Sequence, residues 1–162
     1  MAHLEGAVIV VDDNEDDIGL TTLLLRKAGV FHVPSLRGGE GVLAYLEGTK
    51  PLLPDRRPLA LILDVTMPGL TGLDVLGQVR ARTDFDSIPI VMWSSSDDPR
   101  DLRRAAGLKA QCYVAKYPTV SALKEILSAA TTYDGADSST RYFHVKPNLL
   151  LGRDSLPDLA VA

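Results

Sequence analysis

The sequence predicts an α/β protein, a doubly wound parallel sheet with helices on both faces. Two observations carry that expectation. Short apolar runs, rich in β-branched residues and nearly free of apolar/polar alternation, recur along the chain, as expected of strands buried on both sides. Between them lie segments whose apolar residues repeat at helical spacing. Strand and helix alternate five times, the pattern of a parallel sheet built from crossover units. No internal repeat is visible.

The first strand is Ala7–Val11 (AVIVV), and the helix after it runs through Ile18, Leu20, Leu23, Leu24 and Lys27 to end near Gly29. His32–Leu36 is a weaker strand, followed by a helix marked by Val42, Leu43 and Leu46. Leu59–Leu63 (LALIL) precedes a helix bearing Leu73, Val75, Leu76 and Val79, and Ile88–Trp93 (IPIVMW) precedes one bearing Leu102, Ala105 and Ala106. Cys112–Ala115 (CYVA) is the fifth strand, and Leu123, Ile126 and Leu127 mark the fifth helix, with Thr119 or Ser121 as its N-cap. Two stretches depart from this alternation. Glu47–Arg57, with Pro58 following, is long and proline-bearing and reads as an extended surface connection. From Tyr133 the polar run DGADSST gives way to RYFHVKPNLLLGRDSLPDLAVA. The chain therefore divides into a domain over residues 1–132 and a tail or arm over 133–162, which is too short for a second, output domain of usual size and too apolar for solvated disorder.

At 162 residues, 46% hydrophobic and 23% charged, the chain has the make-up of one soluble globular domain plus an appendage. A net charge of -4 argues against a nucleic-acid partner, since a phosphate backbone is held mainly by clustered Lys and Arg. The single cysteine, Cys112, permits no intrachain disulfide and fits a reducing compartment. The opening MAHLEGAVIVVDD is not a signal peptide, and no apolar run approaches the roughly 20 residues that span a bilayer. A cytoplasmic location and no membrane partner are expected.

In parallel α/β sheets the ligand site lies at the carboxyl ends of the strands. Those ends carry Asp12 and Asp13 after the first strand, Asp64 after the third, Ser94, Ser95 and Ser96 after the fourth and Lys116 after the fifth. Singly, such an aspartate is ordinarily a helix cap or turn residue, and such a lysine or serine is ordinarily solvated. Together, in this chain order, they outweigh that reading. Carboxylates brought close repel one another unless one protonates or a cation neutralises them. Hard oxygen ligands with retained water suit Mg²⁺. Charge building on a transferring phosphoryl group is then offset while one carboxylate attacks phosphorus. The ammonium adds a second positive charge, and a hydroxyl can turn toward the arriving oxygens.

The segments VIVVDDNEDD, LALILDVTMPGLTGLDVL, IPIVMWSSSD and CYVAK resemble the response-regulator receiver family over roughly residues 7 to 131. Asp64 followed by Met67-Pro68-Gly69 and Gly72 is the most specific part of the match. The resemblance implies a flavodoxin-like fold, a five-stranded sheet of order 2-1-3-4-5 with five helices. It also implies a signalling protein of two-component phosphorelays, not an enzyme, that takes a phosphoryl group from a sensor histidine kinase with Mg²⁺. By the same resemblance Asp64 is the phosphoacceptor, and Asp13, Asp12, Asp64 and the Thr66 carbonyl hold the metal. Ser94 is the switch hydroxyl, Tyr113 the switch aromatic and Lys116 the phosphoryl-binding lysine. Ser95 is small where the phosphodonor approaches, and Thr66 and Ser96 match positions that tune dephosphorylation. The family usually has Lys-Pro where this chain has Lys116-Tyr117-Pro118. A cis bond costs about 3 kcal/mol before Tyr117 and about 0.5–1 kcal/mol before Pro118, so the shape of this loop stays open.

Other readings are weaker. Asp-Asp-Asn-Glu-Asp-Asp at 12–17 would repel the phosphate of a flavin carrier on the same fold. A phosphatase with an aspartate nucleophile needs a second aspartate two residues on, where Thr66 stands. A degenerate receiver acting only as an interaction module lacks an acidic residue or the lysine, and none is missing here. Cys112, Met92 and Trp93 read as core, Asp97, Asp98 and Arg100–Arg104 as a solvated helix start, and the scattered His3, His32 and His144 lack zinc spacing. Output is expected through protein contacts. The long second-helix connection and the tail resemble regulators paired with bacterial phytochrome kinases, with a chemotaxis-type regulator as the alternative. Tyr142, Phe143, Val145 and Leu149–Leu151 would leave an exposed apolar patch, so a homodimer formed through the tail is expected, the alternative being a tail that folds back over its own domain.

Overall fold

The computed structural model describes residues 6–49, 57–96, 98–131, 143–146 and 149–150. The elements are β1 (Val8–Val11), α1 (Glu15–Lys27), β2 (Ser35–Leu36), α2 (Val42–Gly48), β3 (Ala60–Asp64), α3 (Gly72–Arg80), β4 (Ile90–Ser94), α4 (Pro99–Gly107), β5 (Cys112–Ala115), α5 (Val120–Thr131), β6 (Phe143–Lys146) and β7 (Leu149–Leu150). The sheet order is β2-β1-β3-β4-β5-β6-β7. Its first five strands are all parallel and in the predicted 2-1-3-4-5 order.

Each core strand serves two layers at once. Ile9, Val11, Leu61, Leu63, Ile90, Met92 and Tyr113 join the cluster that includes Val42, Leu76 and Leu102 of α2, α3 and α4. Val8, Val10, Ile62, Val91, Trp93, Cys112 and Val114 join Leu25 of α1 and Leu123, Ile126 and Leu127 of α5. Apolar side chains are thus needed at consecutive positions, which is why these runs show no alternation. The helices begin and end where local chemistry dictates. Asn14 caps α1 by accepting from the amides of Asp16 and Asp17. At the other end the Val30 amide donates to the Leu25 carbonyl (2.9 Å) and the Gly29 amide to that of Arg26 (3.0 Å). This Schellman closure places Gly29 at φ 98°, a conformation glycine adopts freely. Thr71 and Asp74 form a reciprocal capping box on α3, and Asp98 caps α4 ahead of Pro99. Of the two candidates for α5, Thr119 is the cap, its hydroxyl accepting from the Ala122 amide at 3.1 Å.

Two features differ from expectation. The strand expected over His32–Leu36 shortens to Ser35–Leu36 plus an isolated Ala7–His32 bridge. Pro34 lies between them; its carbonyl accepts from the Val10 amide at 2.9 Å, but it has no N–H to continue the ladder. The sheet also has seven strands where five were expected, because part of the tail joins it: β6 lies parallel to β5, and β7 returns antiparallel to β6. Most of the Glu47–Arg57 connection and the rest of the tail lie outside the described residues.

The start of α3 crosses close over the end of β3. A Cβ at Gly72 would stand 2.0 Å from the Asp64 carbonyl oxygen and 3.0 Å from the Val65 Cα, both backbone atoms. No side-chain adjustment relieves such an overlap, so Gly72→Ala is expected to lower unfolding stability by about 2–3 kcal/mol or more. Denaturant titration of the two proteins checks this, and wild-type stability in the variant contradicts the close approach.

Candidate functional site

Sequence and sheet register together bring the polar strand ends to one rim. Val11 pairs with Leu63, Asp64 with Trp93 and Ser94 with Ala115, so the residues at or just past those positions stand side by side. Asp12, Asp64 and Ser94 are buried at 2%, 6% and 1% exposure, whereas Asp13 is exposed. Asp12, Asp13 and Asp64 each offer a carboxylate oxygen, and these atoms lie within 4.8 Å of one another. Among the described residues this is the one group suited to holding a metal ion. Three hard oxygen donors, one open to water and two sunk in the rim, fit a hard divalent cation.

The carboxylates are held individually. Asp12 accepts from the Asn14 amide at 3.0 Å, and Asp64 accepts from the Thr66 backbone amide. Lys116 enters from the end of β5, its Nζ 3.1 Å from Asp12, 3.3 Å from Asp17 and 3.4 Å from Asp64. Burial works against the ammonium charge, but Asp64 and Asp12 outweigh it and hold the lysine above its usual range. For Asp64 the balance falls the other way. Burial pushes its carboxyl up, Lys116 pulls it down and the Asp12 charge pushes it up again, to about 6.

Ser94 and Tyr113 meet through Ser96. The Ser96 amide donates to the Ser94 hydroxyl at 3.0 Å, and the Tyr113 hydroxyl donates to the Ser96 carbonyl at 3.0 Å. The Tyr113 ring is fully buried in the layer under α3 and α4. Ser95 and Thr66 are exposed at the rim. Of the residues expected here from the sequence, Asp12, Asp13, Asp64 and Lys116 meet directly, the Thr66 amide reaches Asp64, and Ser94 and Tyr113 are linked through Ser96. The bond left open is resolved as a cis peptide between Lys116 and Tyr117.

Two residues enter the site that the sequence did not single out. Asp17, in the first turn of α1, takes a hydrogen bond from Lys116, and the Tyr117 hydroxyl donates to its other oxygen. The Tyr117 ring rests edge-on to Trp93, with centroids 6.3 Å apart. One signal was available: Asp17 lies in the first turn of the helix that follows directly on the Asp12–Asp13 strand end. Elsewhere, Cys112 is a buried thiol pushed up by desolvation, as befits a core residue. His32 lies at the sheet edge, far in sequence from any other histidine, and His3 is outside the described residues.

Residues 8–128 match the family described as the response regulator receiver domain. The response regulator Rcp1 of Synechocystis is 26% identical over 110 residues, covering 67% of this chain and 75% of Rcp1. The rice two-component response regulator ORR1 is 28% identical over 112 residues, but the match spans only about half, 48%, of that protein. Among solved structures, the bacteriophytochrome response regulator AtBRR superposes with a TM-score of 0.64 at 28% identity, covering 77% of this chain and 91% of that one.

The raised Asp64 carboxyl has a consequence for stability. Between its ordinary value of 3.8 and about 6, the folded protein binds a proton that the unfolded chain releases. Stability of the metal-free protein therefore rises as pH falls through 6 and levels off below about 4. The gain from this group is on the order of 2–3 kcal/mol. In chelator, Asp64→Asn is expected to lose that rise and to melt above wild type at pH 8. Thermal melts from pH 8 to 5 check this, and equal pH dependence in the two proteins contradicts it.

Proposed function

This chain belongs to the response regulator receiver family, and from that premise we propose that Asp64 accepts a phosphoryl group from a sensor histidine kinase. The observation that supports it best is the convergence of Asp12, Asp13 and Asp64 within 4.8 Å, with the Lys116 ammonium 3.4 Å from Asp64. An Asp64 oxygen attacks the phosphorus of a phosphohistidine, a P–O bond forms, the P–N bond breaks, and the imidazole leaves with a proton from solvent. Asp12, Asp13, Asp64 and the Thr66 carbonyl would hold Mg²⁺, which supplies positive charge against the phosphoryl oxygens. Lys116 supports that charge from the protein's side and helps keep Asp64 ionised for attack. Ser94 is the hydroxyl placed to bond a phosphoryl oxygen, and any movement of it reaches Tyr113 through Ser96. The signal then leaves through protein contacts.

The likeness to AtBRR supports a bacterial phytochrome kinase as the donor. The tail supports a homodimer: β6 adds to β5, and the same pairing made with a second copy would exchange the arm about a two-fold axis. The eleven residues between Thr131 and Phe143 reach about 36 Å when extended, enough to cross to a neighbour.

Asp64→Asn is expected to abolish labelling by acetyl phosphate while the fold persists, and Asp13→Ala to weaken Mg²⁺ binding by about tenfold or more. Full labelling of the first variant elsewhere, or unchanged affinity in the second, would sink the corresponding assignment. Phosphotransfer profiling against a panel of sensor kinases tests the donor, and preference for a kinase of another class removes the phytochrome pairing. Light scattering on the full chain and on a version ending at Thr132 tests the arm. A dimer is expected only for the full chain; two monomers or two equal dimers at tens of micromolar remove the tail as the dimerising element.

A further inference from the structure

Lys116 has three N–H donors and three carboxylates around them. It lies 3.1 Å from Asp12 and 3.3 Å from Asp17, both hydrogen-bonded, and its contact with Asp64, at 3.4 Å, is the longest of the three. Of these partners Asp12 and Asp64 belong to the cluster suited to a cation, and Asp17 does not. A cation that offsets the first two leaves Asp17 as the uncompensated carboxylate beside the lysine. Asp17 is itself pinned. Its second oxygen accepts from the Tyr117 hydroxyl, and the Tyr117 ring is braced edge-on by the fully buried Trp93. The side chain of Asp17 is about one-third exposed, at 32%, so without that bond it is free to turn to water.

We propose that Asp17 and Tyr117 are a positioning pair that draws the Lys116 ammonium away from Asp64 and so restrains phosphoryl acceptance. This rests on the reading of Lys116 as the phosphoryl-binding lysine. Asp17 competes with the incoming phosphoryl oxygens for one N–H of Lys116, and Tyr117 sets the strength of that competition by keeping the carboxylate turned inward. The residue that stands between Lys116 and Pro118 is in this view a restraint on the lysine.

The test measures the labelling rate with acetyl phosphate and Mg²⁺ for Asp17→Asn, Tyr117→Phe and Lys116→Ala, and for each of the first two combined with Lys116→Ala. Thermal melts establish that each variant is folded. Asp17→Asn is expected to label about three- to tenfold faster, since the competing bond is charge-assisted but partly open to solvent. Tyr117→Phe is expected to give a smaller rise, and both rises vanish in the Lys116→Ala background. In the metal-free, unphosphorylated protein, proton exchange of the Lys116 ammonium followed by ¹⁵N NMR is expected to quicken in both variants. A slow Lys116→Ala with unchanged rates and unchanged ammonium exchange in the other two overturns the pair alone. So does a rise that persists without the lysine. Wild-type labelling by Lys116→Ala overturns the role given to the lysine, and the proposal with it.

Discussion

The crowding of negative charge at the carboxyl end of the sheet governs the rest of this molecule. Asp12 and Asp64 are buried almost completely and Asp13 stands beside them, an arrangement that would be strongly repulsive in a medium less polar than water. Lys116 offsets part of it, and the Asn14 and Thr66 amides offset a little more. Burial first, and the Asp12 charge after it, keep the Asp64 carboxyl raised all the same. Positive charge brought to this cluster lowers the repulsion further.

The sheet exists in a form that can impose such a cluster. Because β1, β3, β4 and β5 are parallel and in register, their last residues are carried to the same height. Because both faces are covered, the strands cannot slide to relieve the repulsion without exposing one apolar layer or the other. The close passage of Gly72 over the Asp64 carbonyl locks the loop that leaves the site. Core burial on two sides thus does electrostatic as well as hydrophobic duty.

The β5 edge connects the site to the tail. β5 carries Tyr113 and leads directly to Lys116, and its outer edge is paired with β6, Tyr113 in register with His144. In this chain the tail strand and the lysine of the acidic rim share one structural element, β5.

Much of this was legible in the sequence because it depends on short-range patterns. Apolar runs without alternation marked buried parallel strands, and those runs located the strand ends, which is where Asp12, Asp13, Asp64, Ser94 and Lys116 stand. The helix ends marked near Gly29 and at Thr119 follow from local hydrogen bonding. Three features were decided only by tertiary structure. β6 was not apparent because four residues carry no readable period and their partner, β5, lies far upstream. The shortening of β2 depended on which side of Pro34 faces β1. Asp17 and Tyr117 met at Lys116 because α1 and the loop after β5 flank the same rim, a juxtaposition separated by about a hundred residues of chain. Sequence alone determined which residue types end each strand, since burial is written into local composition. Which of those residues share a proton, a charge or a hydrogen bond was decided by the packing of distant segments.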